Sequence, residues 1–184
     1  MFKRSLLFIQ LIFSSLLIFS QDLKKEVPVV KTKMEVFTSR TGTITKLTDY
    51  SLPRLKTSYA SVETRVRKVS SGLTPTYFYQ IEKEGKYNNT TASIEYSDLL
   101  EVIKALKSLK TEVDKDLVTN PDYLENKFIT VDGFQVGYFI IKGKASWYIT
   151  LEKFGSDNTL FIDNGDTIET AFTTAKDKID ELKK

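Results

Sequence analysis

Alternating apolar and polar residues predict a series of β-strands that are each buried on one face. In segment 59–69, charged side chains including Arg65 and Arg67 lie opposite a face of small and β-branched residues. Segments 76–83 and 87–94 alternate in a similar way and are separated by a short turn. We therefore expect these segments to form half-buried strands of an antiparallel sheet.

Two segments carry apolar residues at the three- and four-residue spacing of an amphipathic helix. The first begins near Asp98, which is followed by Glu101, and the second begins near Asp166, which is followed by Glu169. An acid followed three residues later by Glu resembles a capping box. We expect both helices to begin at these acids and to pack an apolar stripe against a sheet.

Asp132-Gly133 is the strongest hairpin signal in the chain, because this dipeptide favours a two-residue turn between strands. Such a turn pairs Val131 with Phe134 and Ile129 with Val136. These four residues would then point to the same face of the sheet.

A second turn at Lys142-Gly143 leads into the next strand. It pairs Tyr138 with Trp147 and Val136 with Ile149. This register gathers the apolar side chains of neighbouring strands on one face, and a slip of one residue would scatter them.

The two halves of the chain show the same order of predicted elements. A shift of 68 residues aligns Ile81 with Ile149 and Asp98 with Asp166. Repetition of elements at a fixed period indicates an internal repeat. The predicted fold class is therefore α+β, with two strand-rich repeats, each of about four antiparallel strands followed by one amphipathic helix.

The predicted domain organisation is a single α+β domain over residues 34–184. Its halves are expected at about 58–117 and 127–184, separated by a long connection near Asn120-Pro121. Residues 21–33 are charged and lack periodicity, which is typical of a flexible N-terminal tether.

The region between the tether and the first half of the domain is predicted to contain a hairpin followed by a connection. Residues 34–47 are β-rich around Thr41-Gly42 and predict a hairpin with a loose turn. Residues 50–57 contain Pro53 and are expected to be a connection.

The N-terminus has the pattern of a secretory signal peptide over residues 1–20. Two basic residues precede an apolar run over 5–19, which is short for a membrane span of about 20 residues. We expect cleavage between Ser20 and Gln21, export to the periplasm or secretion, and no membrane span after signal removal. The alternative is an uncleaved N-terminal anchor.

Composition narrows the possible chemistry. The 184 residues include no Cys and no His, which excludes disulfides, thiol nucleophiles, the Ser-His-Asp triad and His-containing zinc sites. Removal of residues 1–20 takes two of the 27 basic residues and none of the 24 acidic ones, so the net charge falls from +3 to +1. No catalytic residue, metal ligand or cofactor is expected, and nucleic acid is not the expected partner of a nearly neutral chain.

Two acidic groups invite other interpretations. Residues 163–166, with the sequence DNGD, could suggest a calcium loop, but the ligand spacing is wrong and a turn with a helix cap explains each residue. Asp114, Asp116 and Asp122 could supply acid/base chemistry if the fold brought them together. Solvated charge in a polar loop is the simpler interpretation of these three acids.

The face opposite Trp147 is the candidate binding surface. It is predicted to carry Phe128, Gln135, Phe139 and Tyr148 among small polar residues. Exposed apolar patches with polar neighbours often bind partners. The alternative is that this face forms a second core.

A second candidate surface combines Arg65 and Arg67 with the aromatic segment 77–79. Basic and aromatic residues together are typical of single-stranded nucleic-acid binding. A solvated strand face beside core aromatics is the simpler interpretation, because the chain without its signal peptide carries little net charge.

Several segments resemble small exported proteins of unknown function from flavobacteria-like bacteria. They are IEYSDLLEVIKAL, LFIDNGDTIETAF and FITVDGFQVGYFIIKGKASWYITLEK. This resemblance implies export but no activity. The layout of four strands and a helix, occurring twice, is similar to the Whirly and PUR single-stranded nucleic-acid-binding folds, although none of their motifs is present.

Taken together, the sequence predicts an exported, non-enzymatic binding or interaction module that uses a sheet face. Its partner would be a protein or a small ligand of the cell envelope. One alternative is an envelope enzyme with carboxylates in a groove between the halves. Another, by analogy of layout, is a single-stranded nucleic-acid binder.

Overall fold

The computed structural model describes residues 31–72, 74–155 and 157–184. The predicted signal peptide, its cleavage site at Ser20-Gln21 and residues 21–30 of the predicted tether lie outside the described residues. Within them, no helix is long and apolar enough to cross a membrane.

The described elements run in the following order along the chain. They are α1 (Lys33–Thr38), β1 (Lys46–Lys56), β2 (Ser61–Ser70), β3 (Thr76–Lys83), β4 (Thr90–Glu95), α2 (Tyr96–Thr119), β5 (Tyr123–Ile129), β6 (Gln135–Ile141), β7 (Lys144–Thr150), β8 (Thr159–Ile162) and α3 (Gly165–Leu182).

The strands form two four-stranded antiparallel sheets. The first sheet has the order β1-β2-β3-β4 and is followed by α2, and the second has the order β5-β6-β7-β8 and is followed by α3. The predicted α+β fold class with two strand-rich repeats is therefore confirmed.

The repeat extends to the register of strand pairing. Tyr79 pairs with Ile94 in the first sheet, and Trp147 pairs with Ile162 in the second. Each member of the first pair lies 68 positions before its counterpart in the second, which is the shift that aligned the two halves of the sequence. The units β3-β4-α2 and β7-β8-α3 thus have the same internal register.

One hydrophobic core joins the two repeats. Helix α2 packs closely on β6, α3 packs on β1, and the two helices contact each other. Phe172 of α3 contacts Tyr79 of the first sheet at 5.0 Å between ring centroids, and Phe134 beside the second sheet at 5.7 Å. The helices therefore lie between the sheets, and each sheet turns its other face outward.

Both long helices begin one or two residues before the predicted acids. The side chain of Glu95 accepts the backbone N–H of Ser97 at the start of α2, and Asn164 caps α3 in the same way. Asp98 and Asp166 instead lie in the first turn, where a negative charge also interacts favourably with the helix dipole. Helix α2 continues to Thr119 and β5 begins at Tyr123, so the connection at Asn120-Pro121 is short and not long as predicted.

The predicted hairpin over residues 34–47 is wrong, because its first arm forms the helix α1 and its end, at Lys46 and Leu47, pairs with β2 instead. Thr32 accepts the backbone N–H of Glu35, and the carboxylate of Glu35 accepts the backbone N–H of Thr32. This reciprocal capping box stabilises a single short helix. Phe37 then packs against Phe78 of β3 with 6.0 Å between ring centroids.

The segment predicted as a connection is strand β1. Its pairing with β2 shifts between Leu52 and Leu55, so Pro53 lies at a bulge on an edge strand. Such positions tolerate proline, because its missing N–H removes no hydrogen bond between the strands. The first repeat consequently begins at Lys46, ahead of the expected boundary near residue 58.

The hairpin between β5 and β6 has a longer loop than predicted. Ile129 pairs with Gln135 and Phe128 pairs with Val136, so the loop spans residues 130–134 rather than two residues. The backbone N–H of Thr130 donates to the carbonyl of Phe134 at 2.9 Å and closes the loop. This shift of one residue moves Ile129 to the outer face.

The register of the next hairpin is confirmed. Tyr138 pairs with Trp147 and Val136 pairs with Ile149, as predicted. The rings of Tyr138 and Trp147 lie 5.1 Å apart in the core.

Candidate functional site

The outer face of the first sheet is a network of paired charges. Arg67 donates two hydrogen bonds of 2.6 Å to Asp49. Arg65 donates to Glu82 at 2.5 Å and to Gln80 at 2.8 Å. Hydrogen bonds from these guanidinium groups lower the pKa values of Asp49 and Glu82. Arg65 and Arg67, which we singled out as candidate binding residues, are therefore already engaged with carboxylates.

The apolar end of the same face is covered by the chain itself. Phe78 points outward from β3 but is 0% exposed, because Phe37 of α1 packs against it. Helix α1 is held in place by Lys33, which donates to Asp98 through its ammonium group at 2.7 Å and to Asp132 through its backbone N–H at 2.9 Å. The first sheet thus offers no open apolar surface at Phe78.

The outer face of the second sheet carries an aromatic cluster made of Phe139, Tyr148 and Phe161. Phe139 lies 6.2 Å from Tyr148 and 6.2 Å from Phe161, measured between ring centroids. None of the three rings belongs to the core that joins the sheets. Phe161 is 40% exposed, whereas Tyr148 is 5% exposed. The cluster therefore contains a buried ring, that of Tyr148, and a ring that is accessible to solvent, that of Phe161.

Tyr148 is held in place by a hydrogen bond across β6. Its hydroxyl donates to a carboxylate oxygen of Glu125 at 2.6 Å, and its partner on the intervening strand is Gly137, which has no side chain to block the ring. Burial is the main cause that raises the pKa of Tyr148, and the bond from Tyr148 is the main cause that lowers the pKa of Glu125. The tyrosine is thus neutral and the glutamate ionised at neutral pH.

Exposed apolar side chains extend this face beyond the aromatic cluster. Tyr123 is 58% exposed, Ile129 is 50% exposed and Ile141 is 42% exposed. All three share the outer face with Phe139, because Tyr123 pairs with Ile141 and Ile129 pairs with Gln135 in the β5–β6 register. We call the surface formed by these residues and the aromatic cluster the outer sheet face.

The structure brings some predicted binding residues together and separates others. Phe139, Tyr148 and Gln135 lie on the outer sheet face, as expected. Phe128 does not, because its pairing with Val136 turns it toward the core, where it is half-buried. Arg65 and Arg67 belong to the other sheet.

Four residues of this face were not predicted to lie on it: Phe161, Ile129, Tyr123 and Ile141. The alternation of Phe161 with buried Leu160 and Ile162 was an available signal for the first. Ile129 was assigned to the opposite face by the hairpin prediction. The alternative of a second core is not what the described residues show, since no described helix or strand packs over these exposed side chains.

A groove adjoins the outer sheet face where the two sheets approach each other. It has a volume of ≈ 470 Å³ and lies between the β1–β2 loop, the end of β3 and β8. Phe161 belongs to both the groove and the aromatic cluster. Its lining also includes Arg54, Tyr59, Glu82, Lys83, Glu84, Asp157 and Thr159.

Two of the three carboxylates that line the groove, those of Glu82 and Asp157, are engaged by basic side chains. Arg65 lowers the pKa of Glu82, which is the opposite of what a general acid needs. Asp157 accepts a hydrogen bond from Lys83 at 2.7 Å. Among the described residues, no group of three or more acidic side chains is placed to hold a metal ion.

The three acids near residue 116 do not form a site together. Asp114 and Asp116 lie in the last turns of α2, whereas Asp122 follows the helix. Asp116 accepts a 2.5 Å hydrogen bond from the hydroxyl of Tyr138. Burial, followed by this bond, raises the pKa of Tyr138 to about 12. Asp116 therefore stabilises a buried tyrosine.

The chain matches no protein-family model, no curated protein and no solved structure. The function therefore has to be inferred from the geometry of its surfaces. The outer sheet face and the adjoining groove both offer a ligand apolar area together with polar groups.

Proposed function

We propose that this protein is an exported binding module, and that its outer sheet face binds the apolar surface of another protein in the cell envelope. The main support for this proposal is the cluster of Phe139, Tyr148 and Phe161, which lies outside the core and has exposed apolar neighbours. Aromatic residues are enriched at protein interfaces, where their large rigid surfaces bind at a low entropy cost.

Comparison of the two sheets supports this proposal. The first sheet covers its outward phenylalanine with α1 and pairs its arginines with carboxylates. The second sheet leaves Phe161 and Ile141 40% and 42% exposed. Exposed apolar side chains that adjoin one another are unfavourable in water, so their clustering on the second sheet suggests that a partner covers this face.

The nucleic-acid alternative is less well supported. A single-strand binder needs free basic groups beside aromatic rings. Arg65 and Arg67 are paired with acids, and the aromatic cluster lies on the other sheet. The enzyme alternative is also less well supported. The pKa of Glu82, a carboxyl group in the groove, is lowered, whereas a general acid needs a raised pKa.

Site-specific photo-crosslinking in the native cells tests the proposed face. A photoreactive amino acid replaces Ser146, which pairs with Phe139 on the outer sheet face. The matched control replaces Ser51, an exposed residue on the outer face of the first sheet. We expect a discrete protein adduct from position 146, none from position 51, and loss of the adduct when Phe161→Ser is added.

Equal adducts from both positions, or no adduct from position 146, would contradict the proposed face. Export is tested separately by the intact mass of the protein purified from the native envelope. We expect a chain that begins at Gln21. A mass that includes residues 1–20 would refute cleavage of the predicted signal peptide.

A further inference from the structure

We propose that the groove beside β8 binds an extended peptide segment, which adds to the free edge of β8 as a short antiparallel strand. This inference rests on the proposed function and deepens it, because it specifies that the partner presents an extended segment as well as an apolar surface.

The backbone of β8 points alternately toward β7 and toward the groove. The N–H of Leu151 donates to the carbonyl of Asn158 at 2.9 Å, which marks these two residues as a hydrogen-bonded pair. Hydrogen-bonded and non-hydrogen-bonded pairs alternate along an antiparallel ladder. Leu160, paired with Ile149, therefore directs its backbone groups toward β7, while Thr159 and Phe161 direct theirs away from it.

Contacts at both ends of this edge confirm its orientation. The backbone N–H of Ser58 donates to the carbonyl of Phe161 at 2.9 Å. At the other end, the ammonium group of Lys83 donates to the carbonyl of Asp157 at 2.8 Å. Between these contacts, the N–H and C=O of Thr159 and the N–H of Phe161 have no hydrogen-bond partner within the described residues.

These backbone groups fit an antiparallel peptide strand. One peptide residue can donate its N–H to the carbonyl of Thr159 and accept the N–H of Thr159, as a hydrogen-bonded pair does. A carbonyl two residues away on the peptide can accept the N–H of Phe161. Strand addition to an exposed sheet edge is a common mode of peptide recognition.

The groove side chains favour an apolar side chain on the peptide. Tyr59 is 87% exposed on the β1–β2 loop, and Phe161 is 40% exposed on β8. Both line the groove. A peptide side chain inserted here would bury part of both rings, which accounts for apolar selectivity.

The groove charges favour a basic residue beside that side chain. The lining contains two basic residues, Arg54 and Lys83, and three acidic ones, Glu82, Glu84 and Asp157. Both basic residues are engaged, Arg54 with Glu63 and Lys83 with Asp157. Among the described residues Glu84 forms no ion pair, so it remains available to a Lys or Arg of the peptide.

Selection from a random-peptide phage library against the purified protein supplies the probe. We expect enrichment of peptides with an aromatic or large aliphatic residue next to Lys or Arg. One enriched peptide is then synthesised, and amide hydrogen exchange of the protein is measured by NMR with and without it. We expect the amides of Thr159 and Phe161 to exchange at least about tenfold more slowly with the peptide bound, because each would donate to a peptide carbonyl.

Two variants of Thr159 test the backbone contact directly. Thr159→Pro removes the N–H that faces the groove and no hydrogen bond to β7, a position where an edge strand tolerates proline. We expect it to weaken peptide binding about tenfold, which corresponds to the upper end of the range of free energies that one hydrogen bond contributes. The matched control Thr159→Ala keeps the N–H and should bind like the unchanged protein. If Thr159→Pro fails to fold, the exchange measurement decides alone.

Enrichment of no peptide, or binding that leaves both amides in fast exchange, would overturn strand addition at β8. Either result leaves the proposed outer sheet face standing if photo-crosslinking from position 146 succeeds. Protection of Thr159 and Phe161 without a crosslink from position 146 would instead retain the peptide groove and refute the outer sheet face.

Discussion

Tyr148 donates a 2.6 Å hydrogen bond to Glu125 across the strand that separates them. The residue paired with Tyr148 on that strand is Gly137, so the ring lies over a position without a side chain. Phe139 and Phe161 extend the cluster on one side of this bridge. The outer sheet face is therefore a fixed surface, and its rings need little ordering when a partner binds.

Tyr148→Phe should raise the pKa of Glu125 toward its ordinary value. The hydrogen bond from Tyr148 is the largest cause of the lowered pKa, and phenylalanine keeps the ring while removing the donor. NMR titration of the Glu125 carboxyl carbon measures the change. The control Tyr123→Phe removes a hydroxyl from the same face and should leave that titration nearly as it was. An unchanged Glu125 in Tyr148→Phe would show that the bridge is absent in solution.

Gly137→Ala should destabilise the protein even though the change adds only one methyl group. A Cβ at position 137 would lie 2.3 Å from the carbonyl oxygen of Asn126 and 2.8 Å from the Cα of Lys127. The backbone of β5 would have to move, and overpacking of this kind typically costs about 1–3 kcal/mol. Chemical denaturation measures the free energy of unfolding, with Ser146→Ala as the control on the neighbouring strand. Equal stability of the two variants would contradict the close approach of β5 to β6.

The register of the second sheet shows what the sequence pattern could predict. Tyr138 and Trp147 pair as expected because a slip of one residue would have exposed a row of large apolar side chains. The shift of 68 residues likewise reappears in the pairing of Tyr79 with Ile94 and of Trp147 with Ile162. These features are imposed by burial, which hydrophobic periodicity reports.

Features set by local hydrogen bonding were harder to predict. The hairpin at Asp132-Gly133 has a longer loop than predicted, and in this loop the hydroxyl of Thr130 accepts a hydrogen bond from the backbone N–H of Phe134. That loop moved Phe128 into the core and Ile129 to the outer face. Helix α1 was missed because its residues favour strands, although Thr32 and Glu35 form a recognisable capping box.

The strand residues of the candidate site could be predicted from the sequence, but the groove could not. Phe139 and Tyr148 follow from strand alternation alone. The groove, by contrast, depends on the contact of Ser58 with Phe161, which are 103 positions apart in the sequence. A local sequence pattern cannot predict a contact between residues so far apart along the chain. Covering of Phe78 by Phe37 is a similar long-range event.

Acidification should destabilise the protein through the ion pairs of the first sheet. Hydrogen bonds from Arg67 and Arg65 lower the folded-state pKa values of Asp49 and Glu82 below the ordinary values of these carboxyl groups. A carboxyl whose pKa is lower in the folded state contributes stability above its unfolded pKa and loses it as pH falls through its folded pKa. We therefore expect the free energy of unfolding to decline below about pH 4.5 as these groups take up protons.

Arg67→Gln reduces the contribution of Asp49 to this decline and, through the weaker charge interaction with Glu82, part of that residue's contribution as well. Without the guanidinium, the pKa of Asp49 returns toward its ordinary value, so the acid-dependent loss of stability should be smaller. Urea denaturation over a series of pH values measures it, with Lys56→Gln as a control at an exposed position that lies in the same sheet. An identical pH dependence in Arg67→Gln and the unchanged protein would refute the contribution of the Asp49–Arg67 pair.

Trp147→Ala should be among the most destabilising single changes in the second repeat. Trp147 is 7% exposed, packs on Tyr138 at 5.1 Å between ring centroids, and closes against Gly165 at the start of α3. Its removal leaves a cavity where strand and helix meet, which should cost about 3–5 kcal/mol. The matched control is Phe161→Ala, whose ring is 40% exposed on the opposite face and should cost about 1 kcal/mol or less. Denaturation midpoints of the two variants separate core from surface. Equal losses would mean that the outer sheet face is part of the folding core, and its assignment as a binding surface would then fail together with this prediction.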